Sequence, residues 1–353
     1  MMPPRAPSPW TIYRGPLAVL VLALLAPWLP VGRFSYLIPL LQLAGLYTLL
    51  AASLTLLLGL AGQISLGHAG FFAVGAYVAG VAATVWGWPS GVAALAAVLA
   101  AGLLALLCGG MILRLRGHLL ALATLCLGII LHEFILKSEL TGGAAGLYDL
   151  PEWRLPGLLG ASPAGSFYLV WGPAVLALAW LAHLAASPAG RVLRAVRDDE
   201  VAAAALGVEV FRVKLKAFVA SAMMAGVAGV LYAFVQSPSY LGPEEFGLNT
   251  SVLLLLMAVL GGLDCFWGGL AGALAVLALR EGLTLAAGWC GFSGAVRLEQ
   301  LVYGMILILL LIRAPKGLAP LLARLAGRGG SPGTEVPSGL DNNGVSNHRP
   351  PPA

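Results

Sequence analysis

Charged side chains are scarce in this sequence of 353 residues. Asp, Glu, Lys and Arg together make up 10% of the chain, whereas apolar and aromatic types make up 59%. Soluble domains carry about 25% charged residues. So few charges cannot cover a water-facing surface, which excludes an ordinary soluble domain. The net charge of +5 does not indicate nucleic-acid binding, because the basic residues lie in loops between apolar runs.

Sequence signals for catalysis and for metal binding are absent. The chain has no GxxxxGK[ST] loop for a nucleotide, no HExxH motif and no convincing Ser-His-Asp set. Its four cysteines lie in apolar surroundings and have neither metal-type nor redox-type spacing. We therefore predict that the chain is not an enzyme, has no catalytic or metal-binding residues and binds no cofactor itself.

What the sequence does contain is a series of long apolar runs, several of which approach the ~20 residues that span a bilayer. The runs are continuous, whereas a β-barrel would show alternating segments of ~10 residues. We predict an all-α fold, a polytopic transmembrane helical bundle of about ten spans (roughly eight to ten). The expected spans are 15–31, 37–59, 66–86, 91–113, 118–136, 167–186, 215–236, 249–262, 267–287 and 298–313.

The distribution of Lys and Arg predicts the orientation of these spans. With the N-terminus in the cytoplasm, most of the basic residues fall on the cytoplasmic side, as the positive-inside rule requires. This orientation needs a break in the run 249–287. We place it at "LGGLDCFWGG" (Leu260 to Gly269), because four glycines and Asp264 suit a turn. The first run, Pro16 to Pro30, is interpreted as a span and not as a signal peptide, since "APWLPVGRFSY" is a poor cleavage site.

The spans divide the chain into three parts. Residues 1–14 form a cytoplasmic N-terminal segment, and residues 15–324 form the transmembrane domain. Residues 325–353 form a cytoplasmic tail that we predict to be disordered, because it has almost no large apolar residues. Within the transmembrane domain, residues 137–166 are predicted to be a periplasmic loop and residues 187–214 a cytoplasmic loop.

The stretch "GLAGQISLGHAGFFAVGAYVAG" (Gly59 to Gly80) combines glycines with polar side chains at membrane depth. Glycine-interrupted hydrophobic segments point to binding sites in transporters, because unwound backbone can line a cavity. Close helix packing, with Gln63 and His68 merely hydrogen-bonded, is the alternative. Under the first interpretation, the candidate residues of a substrate pathway are Gly62, Gln63, Ser65, Gly67, His68 and Phe71.

The stretch "SPAGRVLRAVRDDEVAAAALGV" (Ser187 to Val208) concentrates charges between two spans. Ser187 and Pro188 are a helix-start signal and Gly207 is a good C-cap, so one short amphipathic helix is predicted. A helix lying on lipid headgroups is the alternative. Its three carboxylates would be repelled by anionic lipid, so docking of a soluble partner explains the charges better. The candidate docking residues are Arg191, Arg194, Arg197, Asp198, Asp199, Glu200, Ala204 and Gly207.

These stretches belong to a longer pattern that also includes "RLRGHLLALATLCLGII", "LTGGAAGL", "LLLMAVLGGLDCFWGGLAGA" and "LVYGMILILLLIRAPKGL". Taken in their order along the chain, the six stretches resemble the LivM-type permease subunits of high-affinity branched-chain amino acid ABC transporters. The matching stretches cover most of Leu46 to Leu318. The resemblance implies a permease of the bacterial inner membrane that translocates leucine, isoleucine and valine. It also implies that Ser187 to Val208 is a coupling helix that docks on an ATPase. The distribution of Lys and Arg predicts that both termini lie in the cytoplasm.

The partners that the resemblance implies are a second, LivH-type permease, two cytoplasmic ATPase subunits that carry ATP and Mg, and a periplasmic substrate-binding protein. Related permeases carry urea, short amides or other amino acids, so the substrate stays open. The chain departs from the family at Leu263, Asp264 and Cys265, where a small polar Gly-Thr pair is usual. An ion-coupled secondary transporter is the alternative of another class. It would need buried carboxylates at mid-span, and the acids here lie near predicted span ends.

Overall fold

The computed structural model describes residues 37–115, 117–153, 163–237, 239–263 and 268–290, together with residues 304, 305 and 309. These residues form mainly α-helices, with one antiparallel ribbon in which Leu147 pairs with Leu241. The predicted all-α membrane bundle is confirmed. The helices are α1 (Leu37–Leu54, continued by π-helical turns at Thr55–Leu60), α2 (His68–Thr84), α3 (Ser90–Ile112), α4 (His118–Lys137), α5 (Pro163–Ala186), α6 (Pro188–Asp198), α7 (Glu200–Ala205), α8 (Val210–Leu231, continued by π-helical turns at Tyr232–Gln236), α9 (Leu248–Gly261) and α10 (Gly268–Cys290). The ribbon consists of β1 (Leu147–Tyr148) and β2 (Tyr240–Leu241), and short 3-10 turns lie at Glu139–Thr141, Gly143–Ala145 and Pro243–Phe246.

The apolar runs of the sequence become helices because a backbone within a membrane must satisfy its own polar groups. Helices α1, α3, α4, α5 and α8 are long and apolar enough to cross a membrane, and α2 and α9 are shorter apolar helices. Each predicted span between residues 37 and 287 overlaps a helix. The predicted break in the run 249–287 is confirmed, because α9 ends at Gly261 and α10 begins at Gly268.

Several sequence predictions fall outside the described residues. They concern Asp264 and Cys265, the N-terminal segment 1–14, the span 15–31, most of the span 298–313 and the tail 325–353. These stay predictions.

Helix α8 packs against α1, α2 and α3 and so lies at the centre of the bundle. Glycines allow its close approach to α2. A Cβ atom at Gly229 would lie 2.2 Å from the carbonyl oxygen of Phe72, and a Cβ atom at Gly75 would lie 2.3 Å from that of Gly226. Both distances are far below a normal non-bonded contact. Small residues therefore set the separation of α2 and α8, as in other membrane bundles.

The chain between α1 and α2 does not form a simple surface loop. Residues 61–67, here called the re-entrant segment, have no helical structure, and α2 begins only at His68. The backbone N–H of Leu66 donates a hydrogen bond to Thr124 Oγ1 over 3.1 Å. Thr124 lies about 9 Å along α4 from its start at His118. The re-entrant segment thus turns back into the bundle, and α2 starts later than the predicted residue 66.

The charged stretch begins as the sequence predicts. Helix α6 starts at Pro188, and the hydroxyl oxygen of the N-cap Ser187 accepts a hydrogen bond from the backbone N–H of Gly190. Gly207 follows the last helical turn with a φ of +86°, a conformation that favours glycine.

The predicted single helix is wrong, however, because the stretch folds as two helices, α6 and α7. The chain bends at Asp199, whose φ of −156° and ψ of 109° are not helical. The carboxylate of Asp199 accepts hydrogen bonds from the backbone N–H groups of Val201 and Ala202, over 2.8 and 3.0 Å. An acid at this position is a favourable N-cap, so it starts α7 as a separate helix.

Candidate functional site

The two stretches that the sequence singles out contact each other in the fold. The Arg197 guanidinium donates a hydrogen bond from Nη1 to the carbonyl oxygen of Gly59, over 2.5 Å. A Cβ atom at Gly62 would lie 2.7 Å from Arg197 Cγ. Gly62 also has a φ of +65°, which favours glycine. The arginine side chain therefore lies over the beginning of the re-entrant segment.

A second contact joins the re-entrant segment to α8. Gln63 Nε2 donates a hydrogen bond to the backbone carbonyl oxygen of Lys214, over 3.2 Å. The Lys214 ammonium forms an ion pair with the Glu200 carboxylate, and the Lys214 side chain is only 6% exposed. A buried charge needs such a partner. This pair thus ties α7 to α8 beside the re-entrant segment.

Lys214 is a residue of the site that the sequence analysis does not single out. The predicted loop 187–214 includes it with the other basic residues, whereas it lies in the second turn of α8. Glu200 is the sequence signal that could have indicated this role of Lys214. It follows Arg197, the last arginine of the stretch, and its carboxylate can pair with a further cation such as Lys214.

The three arginines of α6 have different surroundings. Arg194 Nη1 donates a hydrogen bond to the carbonyl oxygen of Ala185, over 2.9 Å, at the end of α5. Gly59 similarly lies at the end of the π-helical turns that continue α1. Arginines near helix C-termini bind the last carbonyls and interact favourably with the helix dipole. Arg194 and Arg197 therefore fasten α6 to two membrane helices, whereas Arg191 is exposed.

The exposed side of α7 is mainly apolar. Val201 is 69% exposed and Leu206 is 85% exposed. Asp198 and Asp199 are exposed beside them, and Glu200 is half-buried. An exposed apolar patch with a polar rim is typical of a protein interaction site. The α7 face, as we call it, consists of Val201, Ala202, Ala204, Ala205, Leu206 and Gly207.

The polar candidates for a substrate pathway are buried inside the chain itself. Gln63, Ser65 and His68 are at most 2% exposed. His68 Nε2 and the Ser53 hydroxyl share a hydrogen bond of 2.6 Å. Among the described residues, the Ser65 hydroxyl and His68 Nδ1 have no hydrogen-bond partner. The bond between Ser53 and His68 joins α1 to the start of α2. The role of the three side chains in a pathway stays a prediction.

The other three candidates also have packing contacts. The Phe71 ring meets the Phe218 ring edge to face, with centroids 5.4 Å apart. A Cβ atom at Gly67 would lie 1.9 Å from the carbonyl oxygen of Thr124, so only glycine fits against α4 there. Gly62 is exposed next to Arg197.

A cavity of about 200 Å³ lies next to these candidates, where α2, α4 and α9 meet. None of the six predicted pathway residues lines it. Sequence reasoning missed this cavity because its walls come from three separate segments. Its walls include Leu66 and Gly70 from the region where α2 begins, Leu125 and Ile129 from α4, and Leu248 and Ser251 from α9.

Comparison with known proteins identifies the family. A family model described as a branched-chain amino acid transport system permease component matches residues 36–311. The chain belongs to this family of branched-chain amino acid permeases. The matched region includes the re-entrant segment, α6, α7 and the cavity.

Individual relatives agree with the family. The high-affinity branched-chain amino acid transport system permease protein LivM of Escherichia coli K12 is 32% identical over 86% of this chain and 74% of its own length. LivM of Salmonella typhimurium LT2 is 31% identical over the same shares. The autoinducer 2 import system permease protein LsrC of Photorhabdus laumondii is 29% identical over 44% of this chain and 47% of its own length. No solved structure matches the chain.

The family match and the apolar helices together give the general role. The chain is a multi-pass membrane protein and a permease subunit of an ABC-type importer. As the sequence predicts, it is a transport component of the branched-chain amino acid permease family.

Proposed function

We propose that this permease imports leucine, isoleucine and valine across the bacterial inner membrane, by alternating access that partner ATPases drive. The observation that carries the substrate assignment is the 32% identity, over 86% of this chain, with a high-affinity branched-chain amino acid transport system permease protein.

The end of the bundle that carries α6 and α7 faces the cytoplasm in this proposal. Arg191, Arg212 and Lys216 are exposed at that end. At the opposite end of α4, the basic residue is Lys137, which pairs with Glu133 over 3.0 Å. An excess of Lys and Arg on one side supports a cytoplasmic location for that side. Both termini are then cytoplasmic.

The proposed assembly contains a second permease of the LivH type, two cytoplasmic ATPase subunits and a periplasmic substrate-binding protein. ATP and Mg bind to the ATPase subunits, and the chain described here carries out no hydrolysis. The lipid bilayer surrounds the outer helices of the two permeases.

The α7 face is the proposed docking surface for one ATPase. Val201 and Leu206 supply apolar contact area, while Asp198 and Asp199 supply charges at the rim. Arg191 is the α6 arginine that is placed to contact the partner. Arg194 and Arg197, which lie farther along α6, attach the docking helices to the permease.

This attachment supplies a route by which ATPase movement reaches the membrane helices. ATP can shift the permease between two states only if it favours one of them. When the ATPases close, the α7 face moves with them. Arg194 and Arg197 then transmit the displacement to the end of α5 and to the re-entrant segment as rigid contacts.

Co-purification followed by reconstitution tests the proposal. The tagged chain is solubilised gently from native membranes, and the proteins that accompany it are identified. We expect a second permease and ATPases that carry GxxxxGK[ST]. The purified complex in proteoliposomes, with its binding protein, should take up radiolabelled leucine only when ATP is supplied on the ATPase side.

Two outcomes would contradict the proposal. A chain that purifies alone and takes up solute on an ion gradient without ATP would be a secondary transporter. A complex that takes up urea or short amides with ATP, but none of the three branched-chain amino acids, would keep the ABC mechanism and overturn the substrate.

A further inference from the structure

The cavity between α2, α4 and α9 lies level with the middle of α4. Gly128, in its wall, is at the midpoint of α4. Leu66 and Gly70 flank the beginning of α2, and Leu248 and Ser251 belong to the first turn of α9. The first turns of α2 and α9 therefore meet at this cavity, level with the midpoint of α4.

The walls of the cavity are mainly apolar. Leu66, Leu125, Ile129 and Leu248 provide aliphatic surface. Such walls exclude charged or strongly polar occupants, which would lose their hydration without replacement. They suit a saturated hydrocarbon group.

A small number of polar groups lies at one side of the cavity. Ser251 Oγ accepts a hydrogen bond from the backbone N–H of Ala69, over 3.2 Å, and a hydroxyl that accepts one bond still has a proton to donate. His132 Nε2 donates to the carbonyl oxygen of Pro243 over 3.1 Å, so Nδ1 of a neutral ring is an acceptor. Few, oriented polar groups beside apolar walls are typical of small-molecule sites.

We infer that this cavity holds the aliphatic side chain of the transported amino acid while it crosses the membrane. The inference rests on the proposed function and adds the residues that select the side chain. An apolar cavity of about 150 Å³ takes benzene, so a volume of about 200 Å³ accommodates the branched four-carbon group of leucine or isoleucine.

The position of the cavity supports entry from outside the chain. Ile129, in the wall, is 46% exposed, and only 17% of the apolar window of α4 is buried by the described part of the chain. The cavity therefore opens beside the face of α4 that the described part of the chain leaves uncovered. A second permease packed on that face would enclose the solute between two subunits.

Two substitutions fill the cavity in different ways. Leu125→Trp replaces an aliphatic side chain of the wall with the larger indole ring. Gly247→Ala adds a single methyl group, whose carbon would lie 3.7 Å from His132 Nε2. Because that is an ordinary contact distance and Gly247 has a φ of −76°, this variant folds without strain.

Each variant has a matched control. Leu122→Trp makes the same change on the same helix at a position that is 54% exposed and does not line the cavity. Gly172→Ala adds a methyl group in α5 where no atom lies within 4 Å. All variants are compared as the full complex in proteoliposomes, with leucine and valine as separate radiolabelled substrates and ATP supplied.

We expect Leu125→Trp to lower leucine uptake by about tenfold while valine uptake falls less. Gly247→Ala should lower the ratio of leucine to valine uptake by about fourfold, since the two side chains differ by one methylene. Both controls should keep the wild-type ratio.

Failure of the inference is distinct from failure of the proposed function. Wild-type complex without uptake of any branched-chain amino acid would overturn the proposed function and the inference with it. A wild-type complex that works, with a leucine-to-valine ratio unchanged in Leu125→Trp and Gly247→Ala, would overturn the inference alone. An equal loss of both substrates in these variants would also overturn it, because a lipid acyl chain or a merely structural void would give that result.

Discussion

The Arg197 guanidinium donates a hydrogen bond to the carbonyl oxygen of Gly59, over 2.5 Å and across 138 residues of sequence. It joins α6 to the end of α1, immediately before the re-entrant segment. Together with the contact between Gln63 and the backbone of Lys214, it makes the re-entrant segment and the docking helices one connected unit. A displacement of α6 cannot leave the re-entrant segment unchanged.

Replacing Arg197 by alanine should therefore weaken both attachment and transport. Hydrogen bonds from charged groups contribute about 2 kcal/mol each. We expect Arg197→Ala to lower the melting temperature of the purified permease, and to lower ATP-driven uptake by about tenfold at unchanged complex yield. The readouts are thermal unfolding in detergent and uptake per ATP hydrolysed in proteoliposomes.

Arg191→Ala is the control, because it removes the same side chain from an exposed position on the same helix. Its melting temperature should match that of the wild type, and any effect should appear in ATPase binding. Equal melting temperatures for both variants would contradict the assignment of Arg197 to an internal contact.

Part of this arrangement follows from local sequence. Ser187 and Pro188 mark the start of α6 because cap chemistry involves only neighbouring residues. The helices at membrane depth follow from the apolar runs, and the break after Gly261 follows from the glycines beside it. These features depend on short-range rules, which a single sequence contains.

The remaining features depend on long-range contacts. The spacing of Arg191, Arg194 and Arg197 places them along one side of a helix, but it does not say whether that side meets a partner or the chain itself. The sequence does not predict the separate start of α7, because an Asp at position 199 is equally compatible with a surface acid inside one helix and with the N-cap of a second helix. The cavity depends on three segments that are distant in sequence, so no local pattern predicts it.

Gly62 tests the same contact from the other side. Gly62→Ala must accept a φ of +65°, which costs roughly 1 kcal/mol for a residue with a side chain. Its methyl group would also lie 2.7 Å from Arg197 Cγ, so the arginine has to move. We expect a loss of uptake of about tenfold together with a lower melting temperature.

Gly87→Ala separates these two causes. Gly87 has a φ of +66°, nearly the same as Gly62, but a Cβ atom there would meet nothing within 4 Å. Gly87→Ala should lower the stability only through the cost of the positive φ, and its uptake should stay normal. If Gly87→Ala were as impaired as Gly62→Ala, the contact with Arg197 would have no part in transport.

The ion pair between Lys214 and Glu200 predicts a stability effect at the start of α8. Lys214→Met keeps the length of the side chain but removes the charged partner of Glu200. Losing one member of a buried pair is strongly destabilising. Because the Glu200 side chain is 32% exposed, solvent screening reduces the expected loss to about 2 kcal/mol.

Lys216→Met, at an exposed position two residues later, should change the melting temperature little. Equal shifts in both variants would mean that the pair does not hold α7 in place.

The α7 face predicts the clearest separation between folding and partner binding. Leu206 is 85% exposed, so Leu206→Asp leaves the packing of the permease intact. A carboxylate placed in a desolvated apolar contact is costly, because it loses its hydration without gaining a partner. We expect Leu206→Asp to purify with the second permease but with about tenfold less ATPase.

Arg212→Ala, which changes an exposed residue whose partner is Glu209, should retain the ATPase because surface ion pairs contribute little. A Leu206→Asp complex with its full complement of ATPase would place the docking surface elsewhere. In that case the exposure of Val201 and Leu206 would need another partner.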